Sequence, residues 1–240
     1  MNRPEVNPPE PSAVDSGSFR DRDGRVYRVD GRILRGLSAE ALAEFETLQA
    51  TAFYNRFLER GQLVGSSRVA LEEVPLPEAE KVRWAGFLEH QRVPVITYPY
   101  EWTFGMLQDA ALLQLDLVEA ALLDGMTLKD ATPYNIQFIG GQPVFIDIAS
   151  FETLPAGAPW TGYRQFCEMF LFPLLLQAYK GISFQPLLRG SIDGVGVQTA
   201  ARLFGMRDRF RGGILSHVWL QSRLDRRFGG TRQDVRGELK

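Results

Sequence analysis

The chain has 240 residues, 45% hydrophobic and 11% aromatic, with a formal net charge of −2 and a pI near 5.8. That is enough apolar material for one large domain or two closely packed lobes, and the near-neutral charge gives no global basis for binding nucleic acid or an anionic membrane. One cysteine, Cys167, excludes an intrachain disulfide and a cysteine-based metal site, and no apolar run approaches the ~20 residues that span a bilayer. With no disulfide framework and no targeting segment, the expected location is cytoplasmic. Arginine greatly outnumbers lysine, which fits either a GC-rich genome or the recognition of phosphate and carboxylate groups.

In chain order, "MNRPEVNPPEPSAVDSG" (1–17) is polar and Pro-rich and reads as a disordered leader. "GSFRDRDGRVYRVDGRILRGLS" (17–38) carries the pairs Asp23-Gly24 and Asp30-Gly31 between alternating residues, a hairpin signal that predicts a short antiparallel meander. Ser38 then caps a helix expected to run to about Arg60 on Leu42, Phe45, Leu48, Ala52 and Phe53, with Gly61 as its stop. Residues 62–80 are mixed, and 84–104 read as two further strands, the second ending at Pro99. "GMLQDAALLQLDLVEAALLD" (105–124) is an amphipathic helix closed by Gly125. A loop, 128–135, leads into the apolar runs "IQFI" and "PVFIDI", joined by a hairpin turn at Gly140-Gly141. From about Gly162 the chain is mostly helical, with a Gly-rich pause near 190–196 and "MFLFPLLLQAY" as a buried helix.

This order predicts an α+β fold: an N-terminal lobe of sheet plus one helix over 18–104, and a larger, mainly helical lobe over 105–240 that carries the loop and hairpin 128–150. Strand and helix do not alternate regularly, which argues against a doubly wound parallel sheet. No Gly-rich loop follows a strand with an acidic residue about 20 positions on, so no SAM or dinucleotide site of the usual kind is visible.

The chemistry concentrates in "LKDATPYNIQFIGGQPVFIDIAS" (128–150), where Asp130 and Asn135 are spaced as D-x-x-x-x-N and Asp147 follows twelve residues later at the end of a strand. Phosphoryl transfer needs a group that orients or deprotonates the attacking hydroxyl and oxygen ligands that hold a cation against the phosphates. Asp130 suits the first role, and Asn135 and Asp147 suit the second, with Mg²⁺ as the ion that takes such hard ligands. The bland alternatives are a turn residue for Asp130, a loop tie for Asn135 and a local cap for Asp147.

The layout resembles the protein-kinase pattern, in which a D-x-x-x-x-N catalytic loop and a short hairpin lead to a metal-binding Asp. Longer phrases, "FRDRDGRVY", "ITYPYEWTFGMLQDAALL", "GMTLKDATPYNIQF", "PVFIDIASFE" and "WTGYRQFCEMFLFPL", are similar to the kinase-like N-terminal region of bacterial proteins identified as SAM-dependent methyltransferases, over about residues 18 to 228. The resemblance implies a bilobal fold of the protein-kinase and aminoglycoside-phosphotransferase kind, ATP and Mg²⁺ as cofactors, and a small-molecule acceptor or a methyltransferase domain or protein as partner. It also implies a strand-borne cation against the phosphates. The first lysine is Lys81, so Arg35, just before the first helix, is the expected replacement, with Glu44 or Glu46 as its ion-pair partner. Lys129 is either solvated or steadies a transferring phosphate.

Leu128-Lys129-Asp130 stands in place of H-R-D, Asp147-Ile148-Ala149 in place of D-F-G, and the G-x-G-x-x-G phosphate cover is absent. The catalytic half of the pattern is kept and the ATP-cradling half is reduced. That combination fits an atypical small-molecule kinase or a pseudokinase. Elsewhere, His90 and His217 are lone histidines without a second ligand at metal spacing, Trp160, Tyr163, Phe166 and Phe170 read as core, and the Arg-rich C-terminus reads as a solvated helix or a contact for a partner domain.

Overall fold

The structure, a computed structural model, describes residues 13–14 and 23–228. The predicted leader and the first residues of the predicted meander lie outside them, apart from Ala13–Val14. Those two residues form a short strand, β1, so the sheet reaches into the stretch expected to be leader. Strands β2 (Gly24–Val29) and β3 (Arg32–Leu37) form a hairpin, with Val29 opposite Arg32. Its two-residue turn needs positive φ at both positions, and Asp30 (φ 50°) and Gly31 (φ 78°) supply it. Asp23-Gly24 is not a second such turn: Gly24 lies inside β2, opposite Leu37.

The predicted single helix is two, α1 (Ala39–Gln49) and α2 (Ala52–Glu59). Ser38 caps the first through the N–H of Ala41, as expected, but Thr51 adopts extended backbone and caps the second through the N–H of Tyr54. The apolar spacing runs across this break and conceals it. After β4 (Ser66–Val69) and the short α3 (Glu78–Lys81), β5 (Gly86–His90) completes an antiparallel sheet of order β1-β2-β3-β5-β4. Its two faces follow from strand alternation: Tyr27, Leu34 and Phe87 pack under Val74 and Leu76, while Leu37 and Leu88 join the main core with α1. Gly36 is required where it stands, because a Cβ there would lie 2.4 Å from the Trp84 ring.

The second predicted strand of 84–104 is absent. Residues 91–98 are irregular, and a 3₁₀ turn covers Pro99–Glu101. Pro94 offers no N–H to a ladder, and the peptide of Thr97 is held by a side chain: its N–H donates to Gln137 Oε1 at 2.8 Å and its carbonyl accepts from Gln137 Nε2 at 3.0 Å.

Of the remaining elements, α4, the Gly140-Gly141 hairpin and the helical run after Gly162 follow the sequence, while the β6–β9 pair is not among the expected strands. Thr103 caps α4 (Phe104–Leu123), and Gly125, at φ 74°, ends it. Strand β6 (Met126–Leu128) pairs with β9 (Phe151–Thr153), and β7 (Ile136–Ile139) with β8 (Gln142–Phe145) about Gly140-Gly141. Then come α5 (Tyr163–Phe166), a π turn (Cys167–Leu171) and α6 (Phe172–Lys180), which run on without a break. Helices α7 (Phe184–Gly190) and α8 (Val197–Leu203), a second π segment (Ile214–Leu220) and α9 (Gln221–Phe228) complete the helical part. Cys167 is fully buried among Phe172, Leu176 and Val195, and burial pushes its thiol up to about 11, as befits an inert apolar side chain. The fold is thus α+β, a small antiparallel sheet followed by a helical part. No helix among the described residues is long and apolar enough to cross a membrane.

Candidate functional site

The hairpin β7–β8 delivers Asp147 to its position. Phe145 bonds to the 62–64 segment on one side (N–H to Gln62 O, 2.9 Å; O from Val64 N–H, 2.9 Å), and the N–H of Ile146 closes onto Asn135 O at 2.8 Å. One residue on, Asp147 leaves the ladder and starts a 3₁₀ turn over Ile148–Ser150. Asn135 ends another 3₁₀ turn (Pro133–Asn135), whose start Thr132 caps through the N–H of Tyr134. Two tight turns therefore hold an amide and a carboxylate side by side.

Asp147 Oδ1 accepts from Arg35 Nη1 at 2.6 Å, and Oδ2 accepts from Asn135 Nδ2 at 3.3 Å. The arginine side chain is 11% exposed and the aspartate 23%, so the pair is largely withdrawn from water and stronger than a surface ion pair. Arg35 reaches it from β3, 112 residues away in sequence. Glu44 and Glu46, the expected partners of Arg35, point elsewhere. Glu44 accepts from the N–H and hydroxyl of Thr153, both at 2.8 Å, and Glu46 pairs with Arg68 at 2.5 Å. Both lie on α1, but their side of the helix meets β9 and β4, and the carboxylate that meets Arg35 comes from the hairpin.

Asp130 is set by its backbone. Its N–H donates to Ser150 Oγ at 3.3 Å, and its carbonyl accepts from Gln114 Nε2 at 3.3 Å. Ser150, fully buried, also gives its N–H to Asp147 O (3.0 Å) and takes the N–H of Lys129 on its own carbonyl (3.0 Å). One serine thus ties the loop that carries Asp130 to the turn that carries Asp147. Gln165 Oε1 accepts from the N–H of Ala131 at 2.7 Å, and Trp160 Nε1 donates to Leu128 O at 2.9 Å. Trp160 packs at a tilt on Phe166, which stacks on Phe170, so Phe166 and Phe170 are core with Trp160 against them, as expected, whereas Tyr163, expected to be core as well, is exposed and meets His217 instead. Lys129 is half-buried and lies 3.8 Å from Asp23 at the start of β2.

Sequence reasoning missed Ser150, Gln114 and Gln165. The only local hint is that Ser150 follows Asp147 by three residues, the spacing of a tight turn. His90, a lone histidine in the sequence, has no second ligand at metal spacing. It is buried on β5, with Nδ1 2.7 Å from Ser66 Oγ, and burial together with the Arg35 charge lowers it to about 4, against a smaller pull from Asp147. It is therefore neutral beside the ion pair at pH 7.

The described residues contain no cluster of three His, Cys, Asp or Glu suited to a metal. One carboxylate and one amide oxygen do suit Mg²⁺, which keeps several waters and takes further ligands from substrate phosphates. If such an ion binds here, Asp147 and Asn135 are the residues that hold it.

Fold and site together define an α+β protein in which a sheet-borne arginine, a hairpin-end aspartate and a loop asparagine converge. No family model matches the chain. Nodulation protein NoeA of Rhizobium meliloti (strain 1021) is 38% identical to it over 216 residues, 90% of this chain. The chain spans 44% of that relative's length.

Proposed function

We propose that this chain is a kinase-like phosphotransferase that uses ATP and Mg²⁺ and acts on a small molecule or a partner. The observation that carries the reading is the convergence of Arg35, Asn135 and Asp147 through direct hydrogen bonds. It joins the third strand of the sheet, where protein kinases carry their phosphate-binding cation, to the D-x-x-x-x-N loop and the hairpin-end aspartate. The sheet with α1 and α2, the 91–103 link and the helical part then correspond to the two lobes and their connection.

Each residue takes the role its placement allows. Asp130, oriented through Ser150 and Gln114, is the base for the acceptor hydroxyl. Arg35 offers a planar fork to phosphate oxygens. Asn135 and Asp147 hold the metal, which supplies charge neutralisation on the phosphates when bound. Lys129 stands next to Asp130, where its cation can reach a transferring phosphoryl group once it leaves Asp23.

Thermal unfolding with ATP and Mg²⁺ tests the reading. The wild-type melting temperature should rise with both together, and Asp147→Asn should abolish the rise. No shift in the wild type would end the proposal. A second reading is a non-catalytic kinase-like module attached to a SAM-dependent methyltransferase. It is favoured by the absence of a G-x-G-x-x-G phosphate cover in the sequence, and it predicts binding to such a domain with no phosphate release from ATP.

A further inference from the structure

The carboxylate that would take the metal is already satisfied by donors. Arg35 occupies Asp147 Oδ1 at 2.6 Å and the Asn135 amide faces Oδ2 at 3.3 Å, in a largely enclosed setting. A guanidinium and a divalent cation at one carboxylate compete for the same lone pairs and repel each other. The backbone of Arg35 cannot withdraw, because β3 is paired on both sides, Arg35 lying opposite Val26 on β2 and Leu88 on β5. Only the side chain can move. Beside it lies Gly24, where an added Cβ would crowd Arg35 Nε at 3.3 Å, so glycine keeps a side chain out of the way of the arginine. The ligand best suited to draw it away is a phosphate chain, whose oxygens accept two parallel N–H bonds from the guanidinium fork.

We infer that Arg35 holds the metal's place on Asp147 until a polyphosphate takes the guanidinium, so that metal and polyphosphate bind with positive coupling and the metal alone binds weakly. This rests on the phosphotransferase reading of the site and adds an order of loading to it. The coupling is reciprocal: the metal must raise polyphosphate affinity by the same factor.

Mn²⁺ titration followed by electron paramagnetic resonance, with no nucleotide present, tests it directly. Arg35→Gln should bind Mn²⁺ at least about tenfold more tightly than the wild type, a coupling of the usual size, and adding Asp147→Asn to that variant should remove the gain. Equal Mn²⁺ affinity in wild type and Arg35→Gln overturns the inference. The wild-type chain provides an arm that needs no variant: Mg²⁺ should raise its melting temperature only when a non-hydrolysable ATP analogue is present. A full rise with Mg²⁺ alone overturns the inference while leaving the phosphotransferase reading intact. No response to metal, analogue or both in any form overturns that reading as well.

Discussion

Ser66 Oγ lies 3.2 Å from Val64 O and 2.7 Å from His90 Nδ1. The buried Nε2 of His90 has no hydrogen-bond partner among the described residues. A second proton on the ring would sit beside Arg35, away from water, which is why the ring titrates at about 4 and not near its usual 6.5. The sign follows: between those two values the unfolded chain binds the proton and the folded chain does not. Stability from this residue is complete above about pH 6.5 and is lost as pH falls toward 4, by roughly 3 kcal/mol in all at ~1.4 kcal/mol per pH unit. Urea unfolding as a function of pH should show this slope in the wild type and a flatter profile in His90→Gln; parallel profiles would refute it. The sequence displayed His90 only as a lone histidine. Its meaning depends on Ser66 and Arg35, which reach it from other strands, and no local pattern announces such neighbours. Asn135 and Asp147, which meet through a direct hydrogen bond, were legible because they lie within one short stretch.

Elements were legible where one local signal decided them. Asp30-Gly31, Gly140-Gly141, Ser38, Gly61 and Gly125 all act as read, since a positive φ or a cap is set by a few adjacent atoms. One misread element is 91–98, where β-branched and aromatic residues suggested a strand. A strand needs a backbone partner, and here the Gln137 side chain, itself buried, takes both polar groups of the Thr97 peptide instead. Gln137→Ala should leave that peptide unsatisfied and lower stability by about 1–3 kcal/mol. Hydrogen exchange supplies the specific readout, with the Thr97 amide protected in the wild type and fast in the variant. Unchanged protection would mean that another group holds the link. The split of α1 from α2 was hidden for a different reason: Leu48 and Phe53 face one core across the break, so burial kept the helical spacing while Thr51 ended the helix.

At the scale of the whole molecule, one core runs from Leu37 and Leu88 in the sheet through Phe45, Leu48 and Phe53 to Leu107, Leu117, Phe166 and Phe170 in the helical part. Sheet and helices are therefore expected to unfold together. Leu48 is fully buried, and Leu48→Ala should cost about 2–5 kcal/mol while shifting one transition, with the same midpoint in far-UV circular dichroism and tryptophan fluorescence. Two separated midpoints would show that the halves are energetically independent. The order of elements could be read from the chain, but the 112-residue reach from Arg35 to Asp147 could not, because it exists only once sheet and hairpin dock. The π turn at Cys167–Leu171 has a consequence of another kind. It accommodates an extra residue in the turn between α5 and α6 without interrupting the helix, whereas each residue of a regular helix advances its faces by about 100°. A one-residue deletion within the π turn closes it to an ordinary α turn and keeps Phe172 and Leu176 facing Val195 and Val218, while the same deletion inside α6 would turn the residues after it off that core. Between Tyr163 and Lys180, length differences among related sequences should therefore fall within residues 167–171.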